Sequence, residues 1–345
     1  MSIEAVAREA GVSVATVSRV FNAPDLVRAP TREKVRQVAL RLHYRANTSA
    51  QTLRTQRSKV IGVVLPTLRN PVFAECLEGI ATTAAEHGYS IIPATTSYRV
   101  EDEEAAVASL SGRSVDGMVL VVANPATSPA LRRLAAAKLP YVLAYNRHRR
   151  HPCVSVDNEA AVAEVVRLLV ARGHRRIAMV SGELAASDRA QQRHEGFVRA
   201  MRECGLPDGE LIEVPFMDHA VRHLTEFLQR RGHRPTALFC SNDLLAIRTV
   251  RAASQLGLQV PHDLSVVGFD GIELGGDLTP SLGTVVQPNR EIGVECVRLL
   301  AAAMQSGTPV AASDSRTAPH VFREGESIGP GAAATGAPLT PCLSN

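Results

Sequence analysis

The chain has 345 residues, 45% apolar and 21% charged, with a net charge of +4, the profile expected of a soluble globular protein of two or three domains. No apolar run reaches membrane-spanning length, the start MSIEAVAREAG lacks the basic-then-apolar order of an export signal, and the six cysteines form no C-x-x-C pair. A membrane protein, an exported protein, a disulfide scaffold and a zinc site are therefore not expected; a cytoplasmic chain with reduced thiols is.

Charge is unevenly placed. Residues 1–59 hold eleven Lys/Arg against four acids, a net of +7, which leaves −3 on the other 286 residues. A basic arm on a mildly acidic body points to a polyanion partner for the arm, with a merely solvated basic surface as the bland alternative.

Residues 4–22 read as two short helices joined by a tight turn at Gly11. Ser13 is placed to cap the second helix, on which Val17, Val20 and Phe21 fall at core spacing. Val14, Ala15, Thr16 and Arg19 are left facing outward. Small residues at the exposed N-terminal end of a helix suit insertion into the DNA major groove, where Arg19 can donate two hydrogen bonds to guanine. An ordinary helical hairpin satisfies the same pattern. Thr31 is placed to cap a third helix reaching about His43, with Val35, Val38, Ala39 and Leu42 as its apolar stripe. A polar stretch follows, in which Leu53 is the one large apolar residue.

From Lys59 onward strands and helices alternate. Strands are expected at Val60–Leu65, Ser90–Ala94, Asp116–Val122 and Tyr141–Tyr145, with helices at about 72–87, from 101, and at 128–138. After VSVDN (154–158) the alternation restarts, with helices at 159–172, 189–204, 218–231 and 242–255 and strands at 176–180, 211–214, 236–240 and 264–269. Strands near 282–286 and 320–322 flank a helix at 291–305. Such alternation predicts parallel sheets covered on both faces.

The order of these pieces, and the motifs VAREAGVSVATVSRVFN (6–22), GVVLPTLRNP (62–71), VSVDNEAA (154–161), GHRRIAMVSG (173–182), ALFCSNDLLAI (237–247) and VPHDLSVVGFDGIEL (260–274), resemble the lac repressor/galactose repressor (LacI/GalR) family of bacterial regulators. The resemblance covers about residues 2–328. It implies an α/β fold class: a small all-α helix-turn-helix head at 1–46, a hinge at 47–59, and a two-lobed periplasmic-binding-protein-like body at 60–329. Lobe 1 would comprise about 60–157 and 287–316, lobe 2 about 158–286 and 317–329. Residues 330–345, rich in Gly, Ala and Pro, read as a disordered tail.

The resemblance also implies a repressor that binds a palindromic double-stranded DNA operator as a homodimer under the control of a small-molecule effector, with no cofactor, no metal and no membrane. Its DNA-binding residues would be Ser13, Val14, Ala15, Thr16, Arg19, Asn22, Asn47, Ala50 and Leu53, with Leu53 wedged between base pairs in the minor groove. The effector residues would be Asn70, Phe73, Asn146, Arg147, Arg193, Asn242, Asp270 and Gln287, gathered beyond the carboxyl ends of the strands. Asn242 and its neighbour Asp243 also fit as helix caps, and Phe73 as plain core. Arg193 has no acid near it in sequence except Asp188 and Glu195, which favours a ligand role over a buried ion pair. Gly271 stands where many relatives carry a polar side chain, which weakens the case for a sugar. Arg69 and the run Arg147–His151 add positive charge near the expected cleft mouth, so the effector is expected to be a sugar, a sugar acid or another anionic metabolite. No leucine heptad follows the last lobe, so a dimer is expected rather than a tetramer.

Two other classes fit less well. A transporter's solute-binding protein shares two lobes, but it needs an export signal and no DNA-binding head. An enzyme would need a motif such as G-x-S-x-G, H-E-x-x-H or a Walker loop, and none is present.

Overall fold

Gly11 adopts a left-handed backbone (φ +63°) that lets helix α1 (Ile3–Ala10) turn into α2 (Val14–Asn22) within three residues. With α3 (Ala29–Arg41) these helices bury Val6, Ala10, Val17, Val20, Val35 and Val38 in one small core. Phe21 and Tyr44 close it at a ring separation of 5.7 Å. The start of α3 differs from expectation. It begins two residues before Thr31 with Pro30 in its first turn, and Arg28 at the N-cap makes no side-chain bond. Proline's fixed φ and missing N–H make that start favourable without a capping hydroxyl.

The computed structural model describes residues 2–22, 24–44, 57–215, 220–230 and 234–331. The expected hinge residues Asn47, Ala50 and Leu53, the tail from 332 and Cys342 lie outside the described residues. The chain divides into two units between Ser58 and Lys59.

The second unit is built on two six-stranded sheets. The first contains β1 (Val60–Leu65), β2 (Ser90–Thr95), β3 (Gly117–Leu120), β4 (Tyr141–Ala144), β5 (Cys153–Ser155) and β11 (Arg316–Thr317). Their spatial order is β11-β5-β4-β3-β1-β2, all parallel. The second contains β6 (Ile177–Gly182), β7 (Leu211–Val214), β8 (Ala237–Cys240), β9 (Ser265–Asp270), β10 (Gly283–Val286) and β12 (Val321–Arg323), in the order β12-β10-β9-β8-β6-β7. Here β12 runs antiparallel to β10, an exception to the parallel expectation. The short strands β5 and β11 were not expected. With three and two residues they carry too little pattern, and pairing to β4 and to each other defines them.

Helices cover both faces of each sheet. In lobe 1, α4 (Pro71–Glu86) and α11 (Asn289–Ser306) pack against Ile61, Val63, Val119 and Val142. On the other face α5 (Val100–Gly112) and α6 (Pro129–Ala136) pack on Val64, Met118 and Leu120. Lobe 2 repeats the plan with α7 (Asn158–Ala171) and α8 (Asp188–Glu203) on one face and α9 (Ala220–Leu228) and α10 (Asp243–Gln255) on the other. The chain passes between lobes at 156–157, 287–288 and 318–320, so Asp157 and Gln287 sit on crossings. Among the described residues no helix is long and apolar enough to cross a membrane.

The expected tail starts too early. Gly331 is buried and its N–H donates to the Arg172 carbonyl at 2.7 Å, while the buried His174 ring meets the Gly329 carbonyl at 3.1 Å. These bonds satisfy backbone that would otherwise be buried without partners, and they fix the segment on lobe 2.

Candidate functional site

In the first unit the outward face of α2 is built as its sequence implies. Ser13 Oγ accepts from the Thr16 N–H at 3.1 Å and meets Thr16 Oγ1 at 2.9 Å, which holds the N-terminal turn. Val14 is 41% exposed, and Ala15 and Arg19 are exposed beside it. Thr16 is half-buried, and Asn22 closes the helix. Arg19 pairs with no acid among the described residues. The result is one short ridge with a small apolar N-terminal end and a cation one turn further on. That shape fits the width of a major groove.

In the second unit the strand ends of both sheets face a cavity between the lobes, with about 390 Å³ of space free of atoms, part of it open to solvent. Six of the eight expected effector residues line it: Asn70, Phe73, Arg193, Asn242, Asp270 and Gln287. Asn70, Phe73 and Asn242 are placed by helix starts, Gln287 by a crossing segment, Asp270 by the end of β9 and Arg193 by the body of α8. Asn70 caps α4 by accepting from the Val72 N–H at 3.3 Å, and its amide donates across the cleft to Asp270 Oδ2 at 3.3 Å. Asn242 caps α10 by accepting from the Leu245 N–H at 2.8 Å, so its capping role is realised. Phe73 stacks edge-on against Tyr145 at 5.7 Å and forms an aromatic wall.

Arg193 is buried on α8 and lies over the Phe269 ring at 3.6 Å. Its Nε donates to Asn158 Oδ1 at 2.8 Å, and Nη1 donates to the Ser241 carbonyl and stands 3.6 Å from Asp270 Oδ1. The acid that pairs with it thus comes from the end of β9, a long-range partner that local sequence did not reveal. Desolvation lowers the Arg193 pKa to about 10 and raises that of Asp270 to about 6, each opposed by the other's charge. Asp270 holds a φ of +117°, a strained backbone for a residue with a side chain. Gln287 Nε2 donates to its Oδ1 at 2.8 Å, and Asn289 donates to its carbonyl at 3.3 Å. Asp243, next to the Asn242 cap, is wholly structural: it accepts from the N–H groups of Gly271 and Ile272 and from Thr284 Oγ1. Gly271 itself has no room for a side chain, since a Cβ would lie 2.6 Å from Val286 Cα.

Asn146 and Arg147 do not line the cavity. Asn146 is buried, bonds both backbone groups of Val122, and donates to Asp188 Oδ1 at 2.6 Å, tying lobe 1 to lobe 2. Arg147 turns away to Asp157, 2.6 Å from its Oδ2. The rest of the basic run is held on lobe 1, with the His148 and His151 rings 5.0 Å apart and His151 against Tyr141. Arg147 is thus held by a crossing carboxylate, and none of residues 147–151 lines the cavity, against expectation.

Several wall residues were not singled out from sequence: Tyr98, Tyr145, Ser187, Arg189 and Ser241. Arg189 is buried, pairs with Asp188 at 3.0 Å and donates to the Val122 carbonyl of the opposite lobe at 3.1 Å. The Asp188 N–H donates to the Ala123 carbonyl at 2.7 Å, and burial raises the Asp188 carboxyl to about 6. Ser241 Oγ and Gln287 Oε1 are buried and meet no hydrogen-bond partner among the described residues. The available signal was positional: Ser241 follows β8 directly, and Asp188-Arg189 opens α8.

Comparison with known proteins places this architecture. Residues 2–47 match the model for bacterial regulatory proteins of the lacI family, and residues 166–328 match the periplasmic binding protein-like domain. Catabolite control protein A of Priestia megaterium is 34% identical over 312 residues, 89% of this chain and 94% of that protein. The HTH-type transcriptional repressor CytR of Escherichia coli K12 is 32% identical, covering 87% of this chain and 89% of the relative. Among solved structures, the lac repressor dimer bound to operator and the anti-inducer ONPF superposes with a TM-score of 0.83 at 28% identity, over 95% of this chain and 99% of that one. The regulator CelR in complex with cellobiose gives a TM-score of 0.67 at 27% identity, over 95% and 99% of the two chains. A helical head with an exposed ridge on α2, a two-lobed body and relatives aligned along nearly their whole length lead to one conclusion: this chain belongs to the lacI family of bacterial regulatory proteins and is an effector-controlled, DNA-binding transcriptional repressor, not an enzyme.

Proposed function

We propose that the cavity between the lobes is the effector site and that the exposed ridge of α2 reads a palindromic operator as part of a homodimer acting in the cytoplasm. The observation that carries the effector reading is that two wall residues, Ser241 and Gln287, each hold a buried oxygen, Oγ and Oε1, with no partner among the described residues. Buried polar atoms are nearly always bonded, and a ligand hydroxyl supplies what these two lack. Arg193 meets Asp270 and Arg189 meets Asp188, so the inner wall is balanced in charge. Such a wall favours a hydroxylated ligand body, held by polar groups and by the Phe73, Tyr98 and Tyr145 rings. The effector class is a sugar, a sugar acid or another hydroxylated anion, and the cellobiose bound by CelR supports the sugar-like part.

Arg19, Thr16, Val14 and Ala15 are proposed to meet base edges, Ser13 and Asn22 to meet the backbone, and Leu53, with Asn47 and Ala50, to open the minor groove as a wedge. An effector held by residues of both lobes favours one lobe arrangement, and that preference is the differential binding through which it alters operator affinity.

A thermal-shift screen of sugars, sugar acids and phosphorylated metabolites on the full chain tests this. A true effector at 100 times its Kd adds about 2.7 kcal/mol of stability. It is expected to change operator affinity as well, and to lose its grip in Ser241→Leu, which fills the cavity. Stabilisation that survives Ser241→Leu unchanged contradicts the assignment.

A further inference from the structure

The Val122–Ala123 peptide, just beyond β3, is gripped from both lobes. From lobe 1, the Ala123 N–H donates to Glu103 Oε1 at 2.7 Å, and the Asn146 amide bonds both backbone groups of Val122. From lobe 2, the Asp188 N–H donates to the Ala123 carbonyl at 2.7 Å, and Arg189 Nη1 donates to the Val122 carbonyl at 3.1 Å. Asn146 Nδ2 also donates across to Asp188 Oδ1 at 2.6 Å, while Gln192 Nε2 holds Oδ2 at 3.3 Å. Glu103, Asn146, Asp188 and Arg189 are all buried. These bonds form a clasp between the lobes, closed on one peptide.

One atom of the clasp is unsatisfied. Glu103 Oε2 is buried and meets no partner among the described residues. The charges that act on Glu103 are Arg189 and Asp188 from lobe 2 and Glu101 from its own helix, α5. Asp188 is itself held by Arg189 and by the Asn146 amide. On α6 the nearby cation Arg133 pairs with Glu104 instead, at 3.4 Å. The strands under α5, which are β1, β2 and β3, bring no titratable side chain. A buried oxygen without a donor is costly on a carboxylate and tolerable on a carboxyl that carries its proton. Burial accordingly pushes Glu103 up to about 7, and Asp188 up to about 6.

We infer that Glu103 is a proton sensor for the lobe arrangement: with its proton it completes the clasp that ties Asp188 and Arg189 to the Val122–Ala123 peptide, and without it the clasp loosens. Parting the lobes takes Asp188 and Arg189 off the peptide and admits water to Oε2, so the open arrangement holds the proton more weakly. A carboxyl that binds its proton more tightly in the closed arrangement favours closure at low pH. That advantage is lost as pH rises through about 7. Arg189 also lines the cavity between the lobes, so the proton bears on the same arrangement that the proposed effector selects. No ligand in the cleft is needed for the proton to act.

Hydrogen exchange on the ligand-free full chain tests this. The Asp188 N–H reports opening of the clasp. The Met179 N–H, bonded to the Glu210 carbonyl at 2.9 Å inside lobe 2, reports opening of the lobe itself. Wild type, Glu103→Gln and Glu103→Met are compared at about pH 6 and pH 8, each rate corrected for intrinsic exchange. In wild type the Asp188 N–H is expected to be less protected than that of Met179, and its protection to fall about fivefold or more between the two pH values. Both variants lack the titrating group, so their protection at Asp188 is expected to fall about twofold at most, the share left to the Asp188 carboxyl. Glu103→Met also loses the Ala123 bond and is expected to start from lower protection at both pH values. Wild-type protection at Asp188 that does not change with pH overturns the inference. So does equal protection of Asp188 and Met179 at both pH values, since the clasp then opens only when lobe 2 unfolds. It is equally overturned if either variant loses protection with pH as wild type does.

Discussion

Arg193 and Asp270 face each other across the wall of the cleft, Nη1 to Oδ1 at 3.6 Å, one from the middle of α8 and the other from the strained end of β9. Both are buried, so each removes much of the other's desolvation cost, and both keep atoms toward the cavity. Asp270 is also held by Asn70 from lobe 1 and by Gln287 on a crossing segment. One carboxylate thus gathers contacts from both lobes and from the connection between them. A ligand that competes for those contacts changes how the lobes are held together.

Arg193→Ala is accordingly expected to do more than weaken effector binding. It leaves Asp270 buried without its cation, a change that typically costs about 3–5 kcal/mol. Urea unfolding should show that loss, and calorimetry with the effector should show reduced affinity in the same variant. Wild-type stability combined with lost binding would mean that the ion pair contributes little and that Arg193 acts on ligand alone.

Glu103 gives a pH dependence of definite sign. Its Oε1 accepts from the Ala123 N–H at 2.7 Å, its Oε2 is buried without a partner among the described residues, and burial raises its pKa from 4.5 to about 7. A carboxyl raised in the folded state binds more protons folded than unfolded, so its contribution to stability is present at low pH and lost as pH rises through about 7. Glu103→Gln keeps an accepting oxygen and removes the charge. The variant is expected to be more stable than wild type at pH 8, by an amount on the order of 1–3 kcal/mol, and to match it near pH 5. Melting curves across that range check this; an unchanged difference at both ends counts against it.

Gly271 is expected to tolerate no side chain. Its φ is +78°, and a Cβ would stand 2.6 Å from Val286 Cα on the neighbouring strand. Gly271→Ala should lower stability by about 1–3 kcal/mol, through backbone strain and displacement of Val286. Because its N–H bonds Asp243 beside Asp270, effector affinity should fall with it. A neutral effect in both assays would show that the strand end can shift without cost.

Arg19→Ala is expected to weaken specific operator binding by about 1–3 kcal/mol while leaving binding to random DNA nearly intact, as for a residue that reads guanine. Wild-type log affinity should also fall linearly with log salt, because the positive charge resides in the first 59 residues. Equal losses on operator and random DNA would assign Arg19 to phosphate contact alone.

The sequence already showed most of the fold, because periodic apolar residues and punctuating Gly and Pro mark the helices and nearly all strands of four residues or more. It missed β5 and β11, whose two or three residues are strands only by virtue of their neighbours. The cleft was legible where position follows from chain order: Asn70, Asn242 and Gln287 stand where a strand hands over to the next segment. Long-range pairing was not. Nothing near Arg193 pointed to Asp270, and nothing near Arg147 showed that Asp157 draws it away from the cavity. Arg189 and Ser241 were overlooked because their roles depend on the opposite lobe and on an unfilled hydrogen bond.

Whether a ligand in this cleft controls operator binding is decided by one titration. Labelled operator is titrated with wild type and with Ser241→Leu, each with and without the strongest stabilising compound from the screen. Ser241 Oγ makes no hydrogen bond among the described residues, so the substitution removes none and both proteins should bind operator equally without ligand. With ligand, wild-type affinity is expected to change about 5–150-fold, the usual range of allosteric coupling, while Ser241→Leu stays where it was. The same ligand response in both proteins would contradict the account.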